Sequence, residues 1–186
     1  MRQFGVGIDC SGFAYYILSH WLGSCGIKLA SLLLVDKAEL MAAAEKPSWQ
    51  RAGITSEEIS RWPETVDLET VCRRFHKDPR MLTNVKRLTD PRITEPVLMV
   101  EQFQPGDLIY INGGYGEHVA VVVEVSQSLI KLADSSWQGQ GLGGAAISSV
   151  KIIDSKAGLE DQSWPASRIF KSARGDRVLR LKVLNG

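Results

Sequence analysis

The stretch Ile8-Asp9-Cys10-Ser11-Gly12-Phe13, followed at once by Ala14-Tyr15-Tyr16-Ile17-Leu18, decides how the fold of this chain is interpreted. Asp is a residue type that favours helix N-caps, and the apolar run behind Asp9 suits a helix that continues to about Trp21. Cys10 then lies in the first turn, where free backbone N–H groups and the helix dipole favour a thiolate. The stretch predicts a nucleophilic cysteine whose own backbone N–H forms part of an oxyanion hole.

A second stretch, Glu117-His118-Val119-Ala120-Val121-Val122-Val123-Glu124-Val125, alternates with period two and predicts a strand. His118 and Ala120 share one predicted face, and valines occupy the other. The small side chain of Ala120 leaves room for a helix end to approach His118. A cysteine at a helix N-terminus facing a histidine on a strand is the arrangement that a Cys–His catalytic pair needs.

Three segments carry a family resemblance, in the order Asp9-Cys10-Ser11-Gly12-Phe13, Pro105-Gly106-Asp107-Leu108-Ile109-Tyr110 and Glu117-His118-Val119-Ala120-Val121-Val122. Together they resemble the NlpC family of cell-wall cysteine peptidases. Members hydrolyse peptide bonds in the stem peptide of bacterial peptidoglycan, typically the bond after D-glutamate. The resemblance implies a papain-like α+β fold and a thiol protease, a D-glutamyl endopeptidase that forms an acyl-enzyme. It implies no metal and no organic cofactor.

The resemblance also implies a third catalytic residue, at the end of the strand that follows His118. On the predicted strand from Leu129, the side chains of Ile130, Leu132 and Asp134 share a face. Asp134 fits the third position, because a carboxylate would hold the imidazole tautomer and favour the imidazolium. Ser135 and Ser136 are the alternatives. The predicted triad is therefore Cys10, His118 and Asp134.

Two residues beside the nucleophile are candidates for substrate binding. By resemblance, Asp9 and Ser11 help line the cleft that receives the amine and carboxylate groups of the stem peptide. The alternative is that Asp9 only caps the helix and that Ser11 only makes local hydrogen bonds. For Cys10 the corresponding alternative is a buried, inert thiol.

Composition indicates one globular domain over residues 1–186, with 44% hydrophobic residues, 23% charged residues and a net charge of +1. Helices come first and a sheet follows, which indicates an α+β class with the nucleophile helix packed on a C-terminal antiparallel sheet. A second helix is predicted over 27–45. Strands are predicted near 107–111, 117–125, 129–133, 146–153 and 177–184. The three cysteines, an odd number, argue against a disulfide framework.

Residues 47–96 are polar and are predicted to form short helices, as a helical insertion over or beside the cleft. Thr55-Ser56-Glu57-Glu58 and Asp67-Leu68-Glu69-Thr70 have the residue types of helix starts. The second half carries a run of basic residues: Arg73, Arg74, Lys77, Arg80, Lys86, Arg87 and Arg92. Such charge either attracts anionic wall polymer or is an ordinary solvated face. No nucleic-acid-binding motif accompanies it, so no nucleic-acid partner is expected.

The N-terminal residues do not predict a secretory signal, and the apolar run 27–35 is too short to span a bilayer. The predicted function implies the cell wall, the periplasm or the extracellular space, so localisation and oligomeric state stay open. Relatives contribute a tyrosine to the oxyanion hole from a loop ahead of the cysteine, and the nine residues before Cys10 contain no tyrosine. A rival hypothesis is a catalytically impaired module that binds wall polymer or a protein partner. A third is an amidase or acyltransferase on a non-wall amide.

Overall fold

The computed structural model describes residues 10–98, 100–113, 116–125, 129–136, 144–154, 158–160 and 175–185. It is a mixed α+β structure with antiparallel sheets, as the order of the predicted elements indicated. None of the described helices is long and apolar enough to cross a membrane. The described α-helices are α1 (Cys10–Ser24), α2 (Leu29–Leu32), α3 (Lys37–Ala44), α4 (Pro47–Gln50), α5 (Ser56–Ser60), α6 (Leu68–Phe75), α7 (Pro79–Leu82) and α8 (Val85–Leu88).

Helix α1 is the longest described helix and begins at Cys10, as predicted. Its C-terminus is closed by a Schellman motif, in which the N–H of Ile27 donates to the carbonyl of Leu22 and the N–H of Gly26 donates to the carbonyl of Gly23. Gly26 has a φ of 76°, which a residue without a Cβ adopts easily. The predicted cap residue Asp9 lies outside the described residues.

The predicted single helix over 27–45 is wrong. The chain forms α2, then the short strand β1 (Leu34–Asp36), then α3. β1 pairs antiparallel with β2 (Thr65–Asp67), with Val35 opposite Val66. The spacing of apolar residues in this region fits a helix. The backbone of β1 instead forms hydrogen bonds with β2, which is distant in sequence.

Residues 47–96 form short helices, as predicted. Thr55 and Asp67 cap their helices, because their side chains accept hydrogen bonds from the N–H groups of Glu58 and Thr70. This segment is also part of the main core rather than a layer added over it. Its buried apolar residues join the same cluster as α1: Ile54, Ile59, Leu68, Val71, Phe75, Val85 and Leu88.

The large sheet has the strand order β3-β9-β4-β5-β6-β7-β8, and all its pairings are antiparallel. Five of its strands, β4 to β8, follow one another along the chain, whereas β9 lies between β3 and β4. The five predicted strands of this sheet are present, and the sequence patterns missed β3 and β8. The strands are β3 (Thr94–Val97), β4 (Leu108–Gly113), β5 (Gly116–Val125), β6 (Leu129–Ser136), β7 (Gly144–Asp154), β8 (Gly158–Glu160) and β9 (Arg177–Leu181).

The two faces of this sheet contribute to different apolar clusters. Val119 and Val121 of β5 join the large cluster that contains Leu18 and Leu22 of α1. Ala120 and Val122 join a second cluster with residues of β4, β6 and β9. Alternation along β5 therefore turns one row of side chains towards the helical layer and the other row away from it.

Candidate active site

Cys10 is the first residue of α1, and its side chain is half-buried against the large cluster. A residue in the first turn of a helix lies at the positive end of the helix dipole. Cys10 has no disulfide partner, and neither have Cys25 and Cys72. The structure thus places the Cys10 thiol in the first turn of α1.

Ser11 anchors the first turn of α1 to the helical layer. Its side chain is buried, and its hydroxyl donates to the carbonyl of Thr83 across 3.4 Å. Thr83 follows α7, so this bond joins parts of the chain that are distant in sequence. The described hydrogen bond of the Ser11 hydroxyl is therefore not the local bond that one alternative expected.

His118 lies near the start of β5 and is 6% exposed. Helix α1 packs across β5 and β6, so the elements that carry Cys10 and His118 are neighbours. His118 pairs with Ile111 of β4 and belongs to the row of Ala120, which faces the second cluster. The buried side chains of α1 share a cluster with the row of Val119 instead. The helix therefore does not use the space that the small side chain of Ala120 was predicted to provide.

Asp134 is part of β6, with its backbone opposite Ala146 of β7. The preceding residue, Ala133, pairs with Val121 of β5. The predicted third residue is thus on the strand beside that of His118. The side chains of Asp134, Ser135 and Ser136 lie outside the described part of the structure, so the choice among them stays a prediction.

The segment Pro105-Gly106-Asp107 is joined to strand β9 by an ion pair between Asp107 and Arg180. The Asp107 carboxylate is fully buried and accepts two hydrogen bonds from Arg180, with Nε at 2.7 Å and Nη2 at 3.0 Å. It also accepts from the N–H of Gln104. Sequence reasoning found Asp107 only as part of a motif and missed Arg180, although a buried carboxylate signals that a cation must lie opposite it.

A second polar cluster, also missed, lies at the other end of β4. The Tyr110 hydroxyl donates to Glu117 across 3.0 Å, and the Arg177 guanidinium lies 5.0 Å from the centre of the Tyr110 ring. Burial, and then the hydrogen bond to Glu117, raise the pKa of Tyr110. Side chains alternate along β5, so Glu117 lies on the opposite face from His118. Among the described residues of this hairpin, Tyr110 and Glu117 are the titratable groups that share the face of Val119.

The basic run is largely neutralised within the fold. Ion pairs join Arg74 to Glu58, Arg80 to Asp78 and Arg87 to Glu39, and Arg92 pairs with both Asp36 and Asp90. Arg87 is also almost completely buried. These pairings favour a structural role over the attraction of an anionic polymer.

Within the described ranges, no three His, Cys, Asp or Glu side chains are grouped to hold a metal ion. Comparisons with family models, with curated proteins and with solved structures return no match.

Proposed function

We propose that the chain is a cysteine peptidase with a papain-like arrangement, similar to the NlpC family, that hydrolyses an amide bond of peptidoglycan stem peptides. One observation carries the proposal. Helix α1 begins at a half-buried free cysteine and packs across β5, the strand that bears His118. A free thiol in the first turn of a helix, beside a strand that carries an imidazole, supports nucleophilic acyl chemistry.

In the proposed reaction the Cys10 thiol loses its proton to His118, and its sulfur attacks the amide carbonyl carbon. The tetrahedral intermediate collapses when His118 returns that proton to the leaving amine, which breaks the C–N bond and leaves a thioester on Cys10. Water then gives a proton to His118 and attacks the thioester, releasing the acid and restoring the thiol. Asp134 orients the imidazole in this scheme, and the backbone N–H of Cys10 stabilises the oxyanion.

A second candidate function is a binding module without catalysis. The observation that favours it is the position of His118 on β5. His118 belongs to the same row as Ala120, which joins the second cluster, whereas α1 contacts the opposite row. In this proposal the thiol and the imidazole do not cooperate, and the cleft only holds its ligand. The two proposals differ in whether His118 changes the reactivity of Cys10.

The deciding experiment measures the rate of iodoacetamide labelling at each cysteine against pH, by mass spectrometry. Cys25 is exposed and Cys72 is buried, so the chain provides its own two reference thiols. A catalytic pair predicts that Cys10 labels fast below the ordinary thiol pKa of about 8.5 and that His118→Ala abolishes this. Labelling of Cys10 that resembles Cys25 in both proteins would favour the binding module.

Activity is tested on purified wall fragments with the wild type and with Cys10→Ala. The peptidase proposal predicts cleaved stem peptides whose mass includes one added water, and no product with Cys10→Ala. A product in which the acyl group has moved to another amine would instead identify an acyltransferase.

A further inference from the structure

A β-bulge in strand β5 sets the face on which His118 lies. β5 pairs with β6 in one register up to Val122 and in a register shifted by one residue from Glu124 onwards, so Val123 is an extra residue on the β5 side. Side chains alternate between the two faces of a strand, and one extra residue reverses the alternation beyond it. The face of every residue between the bulge and the β4–β5 turn therefore depends on the bulge.

Val125, on the far side of the bulge, packs against the second cluster. Uninterrupted alternation from Val125 would turn Val121 and Val119 towards that cluster, and Ala120 and His118 towards α1. In the structure the assignment is reversed, since Val119 and Val121 join the cluster of α1 and Ala120 joins the second cluster. Removal of the bulge alone would therefore bring His118 to the face of α1.

The turn between β4 and β5 can take up the extra residue. In the structure Gly113 pairs with Gly116, and two residues separate them. If residues 117–123 move by one position, Gly113 pairs with Glu117 and the turn has three residues, of which Gly116 is the last. Three-residue hairpin turns commonly end with a residue in the left-handed conformation, which glycine adopts easily.

Apolar side chains fill both faces of β5 in either register. Each of residues 118–123 takes the place of the residue before it, so valine replaces valine at two places. Val119 fills the buried place that His118 leaves. Val121 in the place of Ala120 is the one apolar place that receives a larger side chain. A slip by one residue normally exposes the hydrophobic face of a strand, but this sequence keeps both faces apolar.

In the shifted register His118 takes the place of Glu117, level with the start of α1. Trp21, near the end of α1, lines a pocket together with Val122. The helix extends from there towards the start of β5, since the residues of β5 that join its cluster precede Val122. Cys10 is about 16 Å from Trp21 along the helix, at 1.5 Å per residue. Glu117 is about 17 Å from Val122 along the strand, at 3.4 Å per residue, so the two lengths match.

We infer that β5 has a second register, without the bulge at Val123, and that His118 acts on Cys10 from this register. The Tyr110 hydroxyl, which donates to Glu117 across 3.0 Å in the structure, then lies beside the imidazole. The role of Cys10 rests on the proposed function, whereas the existence of two registers does not. A shift of one residue thus assembles or separates the proposed catalytic pair.

Two single-residue deletions fix the two registers in chains of equal length. Deletion of Val123 removes the bulge and keeps the register of the structure, whereas deletion of Gly116 keeps a two-residue turn and imposes the second register. We expect iodoacetamide to label Cys10 about tenfold faster at pH 7 in the Gly116 deletion, because an adjacent imidazole raises the thiolate fraction. His118→Ala should abolish the difference, and the exposed Cys25 is the internal reference.

The unmodified chain is followed by methyl NMR. The second register predicts a second set of valine signals and an NOE between the methyl group of Ala120 and the ring of Tyr110, which lie on opposite faces in the structure. A single set of signals without this NOE would overturn the inference, and so would a Gly116 deletion that fails to fold beside a folded Val123 deletion.

Labelling of Cys10 that is fast and depends on His118 in the Val123 deletion would also overturn the inference, because His118 would then act from the register of the structure. Two registers combined with Cys10 labelling that ignores His118 in both deletions would overturn the proposed function and leave the register shift standing.

Discussion

The indole ring of Trp21 lies directly against the backbone of Gly106. A Cβ at position 106 would be 1.8 Å from Cζ3 of that ring, and Gly106 has a φ of 94°. The N–H of Gly106 also donates to the carbonyl of Val122 at 2.8 Å. The last turns of α1 therefore contact the sheet through a position that only glycine can occupy without displacement.

Gly106→Ala is expected to lower the free energy of unfolding by about 2 to 4 kcal/mol, because it combines backbone strain with a steric overlap. Trp21→Ala in the same chain removes the overlap but not the strain, so the double variant should lose less than the sum of the single variants. Urea unfolding followed by circular dichroism measures both. Gly23→Ala is the control, since a Cβ there has no neighbour within 4 Å. Equal losses at positions 106 and 23 would contradict the packing.

Removing one partner of the Asp107–Arg180 pair is expected to cost about 3 to 5 kcal/mol, because the remaining charge is buried without compensation. Asp107 is fully buried, and the Arg180 side chain is 13% exposed. Asp107→Asn and Arg180→Met, made singly and together, form a double-mutant cycle read by thermal and urea unfolding. For comparison, Arg61→Ala breaks an exposed pair with Glu57 and should cost about 0.5 kcal/mol or less. Additive losses in the cycle would argue against a direct interaction.

Arg92 is expected to give the protein part of its sensitivity to acid. Hydrogen bonds from Arg92 lower the pKa of Asp36 and of Asp90 from 3.8. The unfolded chain therefore binds protons at these two carboxylates more tightly than the folded chain does. The stabilisation of the fold by these carboxylates is present above pH 3.8 and is lost as the pH falls below it. Arg92→Ala should flatten the fall in unfolding free energy between pH 5 and about pH 3.

The measurement for Arg92 is urea unfolding at a series of pH values. Arg51→Ala provides the control, because Arg51 is an exposed arginine with no ion pair among the described residues. An unchanged slope in Arg92→Ala, or the same change in both variants, would show that these carboxylates do not titrate with folding.

Cys72 is expected to be the slowest thiol of the folded protein. Burial, and then the nearby Asp78, raise its pKa to about 11, so at pH 8 only about one Cys72 thiol in a thousand is ionised. Labelling of Cys72 at pH 8 should rise to the rate of Cys25 when the chain is unfolded in urea. Fast labelling of Cys72 in the folded chain would mean that α6 opens readily.

Local sequence patterns predicted individual helices and strands better than they predicted the contacts between them. The apolar run from Gly12 to about Trp21 predicted α1, and the alternation along 117–125 predicted β5, because both signals are local. Strand β1 was missed because its stability comes from β2, a partner that no local pattern reveals. The ion pairs of the basic run depended in the same way on tertiary neighbours.

The candidate site shows the same division. Motif order predicted that Cys10 and His118 form a pair, and the structure places them on elements that pack together. Alternation predicted which residues share a row with His118, but not which row the helix would contact. That choice is made by the large apolar side chains of α1 and of Val119 and Val121, which bury more surface together than Ala120 allows.

The position of β9 also constrains how the chain reaches its native state. β9 pairs with β3 on one side and with β4 on the other, so this strand, the last of the described strands, joins the edge strand β3 to the rest of the sheet. During synthesis on the ribosome, β3 and β4 are made long before the strand that joins them. Strands β5 and β6, which pack against α1, are made before β9, but β3 has no partner in the sheet until β9 is made, which predicts a late folding step at this edge of the sheet.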